Sequence, residues 1–468
     1  MTINADTARQ VDVVVIGGGL AGLATAAELV RSGAEVTVIE ARAQVGGRSR
    51  TLTVPSGPGR AGTEIDLGAQ WVSRDQPRVL ALARQLGLST IRSSARGVSV
   101  TEIDGRLLRS RSSFPLPSAG VVGDLAVCIA RLSWITRRIP LDAPWTTPAA
   151  ERLDSASFAD WLEQVCRRDM TRRILRGLVE GGICASADHV SLLEVAHQLS
   201  SLGGWGALSS ADSLWFPGGS QGLSIGLARR LGSRVLVGSR VLSIHMDTTG
   251  VDVTLPDRVL RARRVVLAVP PQVVAAMGFD PPLPAERQAA LADRVRGSIT
   301  KTVIGYHHAW WRERGLDGTA SPEVGPIDLL NDVSLHDAHP GVLVALSTGE
   351  RTQQLDPQRP GHAARVHEVV ERMFGPAPSP PLFVETLEWD NEPTALGGYA
   401  SRFGVGGWIR HGPHWRSPVG RLHFAGTETA STWRSYMEGA LDSAARVAVE
   451  VAVALAARSD TPVNTRKG

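Results

Sequence analysis

Apolar positions along the chain fall into three patterns. The first is the unbroken β-branched run VDVVVI at 11–16, which suits a strand buried on both faces. An Ala/Leu-rich stretch up to Gly33 follows and predicts a helix, and EVTVIE predicts a second strand ending at Glu40. RARRVVLAVPPQVV (261–274) reads as another buried strand, closed by Pro270 and Pro271, and VLVGSRVLSIHM predicts strands before it. The second pattern is alternation: GSITKTVIGY (297–306) predicts a strand centred on Lys301. The third is helical spacing. SFADWLEQVCRRDMTRRILRGLVEG (157–181) predicts helices. ALDSAARVAVEVAVALAAR carries Asp442, Arg446 and Glu450 at helical intervals and predicts an amphipathic closing helix. The class is α/β, and 468 residues exceed what one simple core needs, so two or three domains are expected.

Composition narrows the class. Hydrophobic residues make up 43% and charged residues 21%, as in ordinary globular chains. The formal charge is +4, and the arginines are scattered, so no nucleic-acid footprint is expected. Cys128, Cys166 and Cys184 show no metal-type spacing or disulfide framework, which favours a reducing, cytoplasmic setting. MTINADTARQ lacks the apolar core of a signal peptide, and no unbroken apolar run reaches the ~18–20 residues of a span, so no membrane contact is expected. Residues 1–9 and 458–468 are expected to be flexible tails.

The chemistry begins at Gly17-x-Gly19-x-x-Gly22, set between strand and helix. Gly17 permits the tight turn, Gly19 the approach of a pyrophosphate, and Gly22 close helix–strand packing. The helix N-terminus offers amide donors and a favourable dipole. Glu40 stands where an acid would hold a ribose. This much does not separate NAD from FAD. The continuation through Arg42 to Val45-Gly46-Gly47-Arg48 resembles the FAD signature of glutathione-reductase-like and flavin amine oxidase folds, with Arg48 facing the pyrophosphate.

Near the other end, RLHFAGTETASTWRSYMEGALDS (421–443) places Gly426, Thr427 and Glu428 after a short strand and opens a helix at Met437. With DLGAQWV (66–72), which contains Gly68, Ala69, Gln70 and Trp71, this segment resembles the flavin-containing monoamine oxidase family, including bacterial putrescine- and tyramine-oxidase-like members. The resemblance implies a Rossmann-like FAD-binding domain with an inserted α+β substrate domain. Boundaries of 10–87, 214–290 and 389–457 are expected for the first, and 88–213 and 291–388 for the second. Val241 would meet the adenine by its backbone.

Of the chain's 50 Lys+Arg, only Lys301 and Lys467 are lysine. The resemblance puts Lys301 near flavin N5 holding a water, a task suited to an ammonium that can lose its proton. The bland alternative is a leftover surface lysine. Tyr399, in LGGYA, and Tyr436, in TWRSYMEG, match the family's aromatic cage, while Trp389 and Trp433 match aromatics near the cofactor or are core packing. Gly398 occupies the position where mammalian-type members carry a flavin-linked cysteine, so non-covalent FAD is expected. Leu208 and Asp328 are candidates for the substrate cavity, Asp328 to receive a second amine or as a solvated loop acid; His197 and Ser209 are weaker ones.

The activity implied is oxidation of an amine to an imine by hydride transfer to N5. Hydrolysis to an aldehyde or ketone would follow, with O2 reduced to H2O2. Amine and O2 are the implied partners, with no nucleic acid, no metal and no membrane; a homodimer is left open. An L-amino-acid oxidase with an arginine clamp, a natural-product desaturase or dehydrogenase, and a flavoprotein interaction module without turnover stay open as rivals.

Overall fold

The computed structural model describes residues 10–55, 62–93, 97–111, 118–210, 213–336 and 338–457, without the side chains of 208–210. The expected tails, and the side chains of Leu208 and Ser209, lie outside the described residues. The chain divides into two compact units. One takes Met1–Gly47, Ser224–Ala292 and His414–Gly468, the other Arg48–Leu223 and Asp293–Pro413.

The first unit is built on a sheet in which β1 (Gln10–Ile16) lies between β2 (Val36–Ile39) and Val259–Leu267, parallel to both. Val13, Val14 and Val15 are fully buried, as an unbroken apolar run on a two-sided sheet must be. Leu422–Phe424 runs parallel to Val259–Leu267, so the late strand ends two places from β1 in the same sheet. Helix α1 (Leu20–Arg31) packs on the closing helix Met437–Ala456. The two ends of the sequence thus meet inside one unit.

The second unit holds a mainly antiparallel sheet. Its order is Phe383–Glu388, Ile299–Tyr306, Gly341–Thr348, Leu329–Asp332, Leu316–Ser321, Val98–Ile103, Arg106–Ser110 among the described residues. All eight residues of Ile299–Tyr306 are buried. This strand alternates in sequence because its two faces bury different things: Val303 and Ile299 join one apolar cluster, Ile304 and Tyr306 another. Helices Phe158–Val165 and Asp169–Ile183 form where the helical spacing predicts them, the first opened by a Ser157–Asp160 capping box. The helix Ala119–Thr136 is long and apolar enough to cross a membrane by length and composition, yet only 28% of it is buried.

Candidate active site

In the first unit the β1–α1 turn is shaped by contacts that only glycine allows. Gly17 has φ +112, and a Cβ on Gly22 would lie 2.0 Å from the Gly17 carbonyl oxygen. Gly46 donates from its amide to Gly18 O at 2.9 Å, which lays the second glycine turn against the first. Gly47 (φ +60) is so close that its Cβ would stand 3.0 Å from the Cα of Gly19. Gly19 is the N-cap of α1 and no side chain caps it, so the first-turn amides are presented to a ligand.

Glu40, at the end of β2, is 5% exposed. It accepts from the amides of Gly18 (2.8 Å) and Arg42 (2.9 Å), so its position is set by the turn it would serve. Arg42 donates to Gly47 O at 2.8 Å and braces the turn. The amides of Gly238 and Ser239 bond to Arg42 O and Glu40 O. This lays the segment leading to half-buried Val241 along the same edge.

The late motif makes a second such entrance. Gly426 has φ +140 and donates its amide to Ser443 Oγ at 3.0 Å. Thr427 and Glu428 open a tight turn, and Thr427 Oγ1 donates to Tyr436 O at 3.1 Å. Tyr436 is the N-cap of Met437–Ala456, again without a side-chain cap. Trp433 stands edge-on to Tyr436, 5.3 Å between ring centroids, and its carbonyl lies where a Cβ on Gly439 would fall. Trp433 is therefore packing that aims Tyr436. Two uncapped helix N-termini, glycines without room for a Cβ and a buried carboxylate fit a dinucleotide with its pyrophosphate and ribose.

In the second unit, Lys301 is 3% exposed, between Leu346 and Leu387 of the neighbouring strands. Its Nζ donates to Gly68 O at 3.0 Å and to Gln70 Oε1 at 2.7 Å, and lies 5.1 Å from the centroid of the Trp71 ring. The surface-lysine alternative is gone. Asp66, which sequence reasoning passed over, completes this nest. Burial pushes its carboxyl up to about 6, against the pull of Lys301 and of hydrogen bonds from Thr51 and Ser220. The available signal was an acid closing the strand that feeds LGAQWV.

Tyr399 follows a cis bond from Gly398 and packs, half-buried, on the same apolar cluster as Trp71, Leu329 and Leu387. Gly398 donates to Gly297 O at 2.9 Å, and its Cβ would meet Ile299, so the Tyr399 loop is pressed onto the start of the Lys301 strand. Arg48, expected at the pyrophosphate, donates through Nη1 to Tyr399 O at 2.6 Å. Cys184 lies against the Tyr399 backbone although far away in sequence, and burial pushes its thiol up to about 12. Trp389 is buried and donates to Leu67 O at 2.9 Å, tying the sheet to the Gly68–Trp71 loop. Asp328 is engaged: it accepts from Thr348 N (2.6 Å) and Thr348 Oγ1 (3.0 Å) and pairs with Arg351 at 3.1 Å. His197 is fully buried against Leu141 O and the Trp408 ring, a core histidine.

The profile of the flavin containing amine oxidoreductase family matches residues 20–452. A Mycobacterium tuberculosis protein named as a flavin-containing monoamine oxidase is 35% identical over 95% of this chain and 97% of its own. Putrescine oxidase of Kocuria rosea is 31% identical over 96% of this chain and 97% of its own. A solved putrescine oxidase with putrescine bound superposes with a TM-score of 0.90 at 28% identity, covering 95% of this chain and 99% of that one. Cyclohexylamine oxidase from Brevibacterium oxydans gives 0.88 at 28% identity over 96% of this chain and 100% of that one. With the two glycine-built helix entrances already in place, these likenesses say that the chain belongs to the flavin-containing amine oxidase family and is an FAD-dependent oxidoreductase acting on amines.

Proposed function

We propose that this enzyme oxidises a monoamine with an apolar body, using O2 as acceptor and FAD held without a covalent link. The observation that carries the substrate class is the state of Asp328. Its carboxylate is committed to Thr348 and Arg351, so its charge is answered from within the protein. Partly buried Trp71, Leu329, Leu387 and Tyr399 pack on one apolar cluster, a surface suited to hydrocarbon. A second ammonium placed there would lose its hydration without gaining a free carboxylate.

FAD, when bound, takes the two electrons and the hydrogen from the carbon that bears nitrogen. The protein's own residues orient and shield. Tyr399 and Tyr436 are assigned to hold the amine by their ring faces, as aromatic faces do for amine nitrogen. Lys301, fixed on Gly68 and Gln70, is assigned to hold the water that delivers a proton during reoxidation. The glycine turns, Glu40 and the uncapped entrances to α1 and Met437–Ala456 are assigned to the dinucleotide. Non-covalent attachment is supported by Gly398 before Tyr399 and by a Cys184 thiol that burial keeps protonated. The three thiols are unbridged, which supports a reducing, cytoplasmic setting.

The test is a peroxide assay with the purified protein across aliphatic and aryl monoamines, diamines and α-amino acids. Apolar monoamines are expected to lead in kcat/KM by about tenfold or more, the worth of a buried unpaired charge. Preference for a diamine would remove the substrate class while leaving amine oxidation intact. Turnover of α-amino acids alone would favour the carboxylate-clamping rival.

A further inference from the structure

The helix Ala119–Thr136 is turned inside out relative to an ordinary surface helix. Its single acid, Asp124, is buried and accepts from the backbone amides of Arg167 and Arg168. Val121, Cys128, Leu132 and Thr136 share that inner face, which packs on the helices Asp169–Ile183 and Leu192–Ser201. The outer face is apolar. Ala119, Ala126 and Ala130 are exposed there, with Val122 at 42%, Val127 at 48% and Trp134 at 61% exposure. Arrangement of this kind is costly in water and marks a contact surface.

The exposed charges on the helix and its extension to Arg138 are all positive among the described residues. Arg131, Arg137 and Arg138 are exposed at its C-terminal end. The Arg138 guanidinium lies 3.8 Å from the centroid of the Trp134 ring. At the other end Arg168 closes over the first turn, where a Cβ on Gly120 would stand 2.4 Å from its Nη2. An outward apolar stripe, a tryptophan at its edge and arginines at both ends is the chemistry of a helix lying in a lipid interface.

We propose that the outer face of Ala119–Thr136 docks the enzyme on an anionic phospholipid surface. The helix lies on the bilayer and does not cross it, because Asp124 is fixed into the fold by Arg167 and Arg168. A second copy of the chain is the weaker occupant: this face carries no acid among the described residues, so two copies would set arginines against arginines. The sequence expectation of no membrane contact rested on the lack of a signal-peptide core and of an unbroken apolar run long enough to span, and a helix lying on the surface needs neither. The structure shows that Asp124 faces inward and Arg131 sits where a snorkelling cation belongs. This inference does not depend on the substrate reading above.

The experiment is co-sedimentation of the full-length holoenzyme with phosphatidylcholine vesicles, with and without phosphatidylglycerol. Binding to the mixed vesicles that weakens with added salt is expected, with little binding to phosphatidylcholine alone. Arg137→Gln and Arg138→Gln should each lower the partition about fivefold. Val127→Ser with Trp134→Ser should abolish it while amine turnover and melting temperature stay as in wild type, which shows that the variant is folded. No co-sedimentation with anionic vesicles, or equal binding by the Val127/Trp134 variant, would overturn the proposal. So would a dimer in light scattering that this variant dissolves, since the face would then join copies of the chain.

Discussion

The glycine turns of the first unit, proposed above to take the dinucleotide, and the Lys301 nest of the second both bury polarity, by opposite means. The turns use backbone: amides at uncapped helix starts, with glycines where no Cβ fits. The nest uses side chains and one carbonyl, Lys301 on Gly68 O and Gln70 Oε1 with Asp66 near by. The backbone cradle takes its donors from amides, which do not titrate, and its acid, Glu40, is itself held by the amides of Gly18 and Arg42. A side-chain nest holds a buried cation and a buried acid together, so its stability and its chemistry both depend on pH. The comparison teaches that the cradle is broken by volume and the nest by charge.

The largest effect should come from volume. Gly22→Ala puts a Cβ 2.0 Å from Gly17 O, so α1 must move off β1. Overpacking of this kind costs about 1–3 kcal/mol, and the displacement falls at the turn proposed to hold the phosphates. The purified variant is expected to be colourless, read as the flavin-to-protein absorbance ratio. A yellow variant would show that the turn is less tight than the contact implies.

The next effect is electrostatic. The Asp66 carboxyl, ordinarily at 3.8, is raised to about 6 by burial in the folded state. The folded protein therefore holds this proton more tightly than the unfolded chain. The stability it contributes is fully present below about pH 4 and is lost as pH rises through about 6, a change on the order of 3 kcal/mol. Asp66→Asn has no such proton. The difference in melting temperature between wild type and Asp66→Asn should move in favour of the variant between pH 4.5 and 7. A constant difference would place the carboxyl at an ordinary value.

The smallest effect centres on a single hydrogen bond. Trp389→Phe removes the donor to Leu67 O, held at 2.9 Å, together with the second ring of the indole. The expected loss is about 2 kcal/mol in denaturant unfolding, from one unmet buried carbonyl and the space the second ring leaves, with flavin content unchanged. Loss of flavin in this variant would give Trp389 a direct part in the cofactor site.

What could be read from the sequence follows the same division. Gly17, Gly19, Gly22 and Glu40 lie within one strand–turn–helix–strand, so local spacing spells them, and the Lys301 strand was legible from alternation. Its partners were not. Gly68 and Gln70 are 233 and 231 residues away from Lys301, and Cys184 reaches the Tyr399 backbone across a comparable gap. Side chains that meet through sheet register leave no local pattern. The same holds for Asp328, readable as an acid but not as one already paired with Arg351. It holds as well for Asp124, which breaks an apolar run in sequence while turning inward in the fold.

The central claim is that Lys301 and its nest mark the reacting edge of the second unit. The most direct measurement is the two half-reactions of wild type and Lys301→Met by stopped flow: anaerobic bleaching of the flavin band by a monoamine, then its recovery on mixing with O2. The account predicts that both proteins bleach at similar rates, while recovery slows by at least about 100-fold in the variant, the usual worth of a positioned proton donor. Recovery at the wild-type rate, in a variant that still bleaches, would contradict the account and leave Lys301 a buried structural cation.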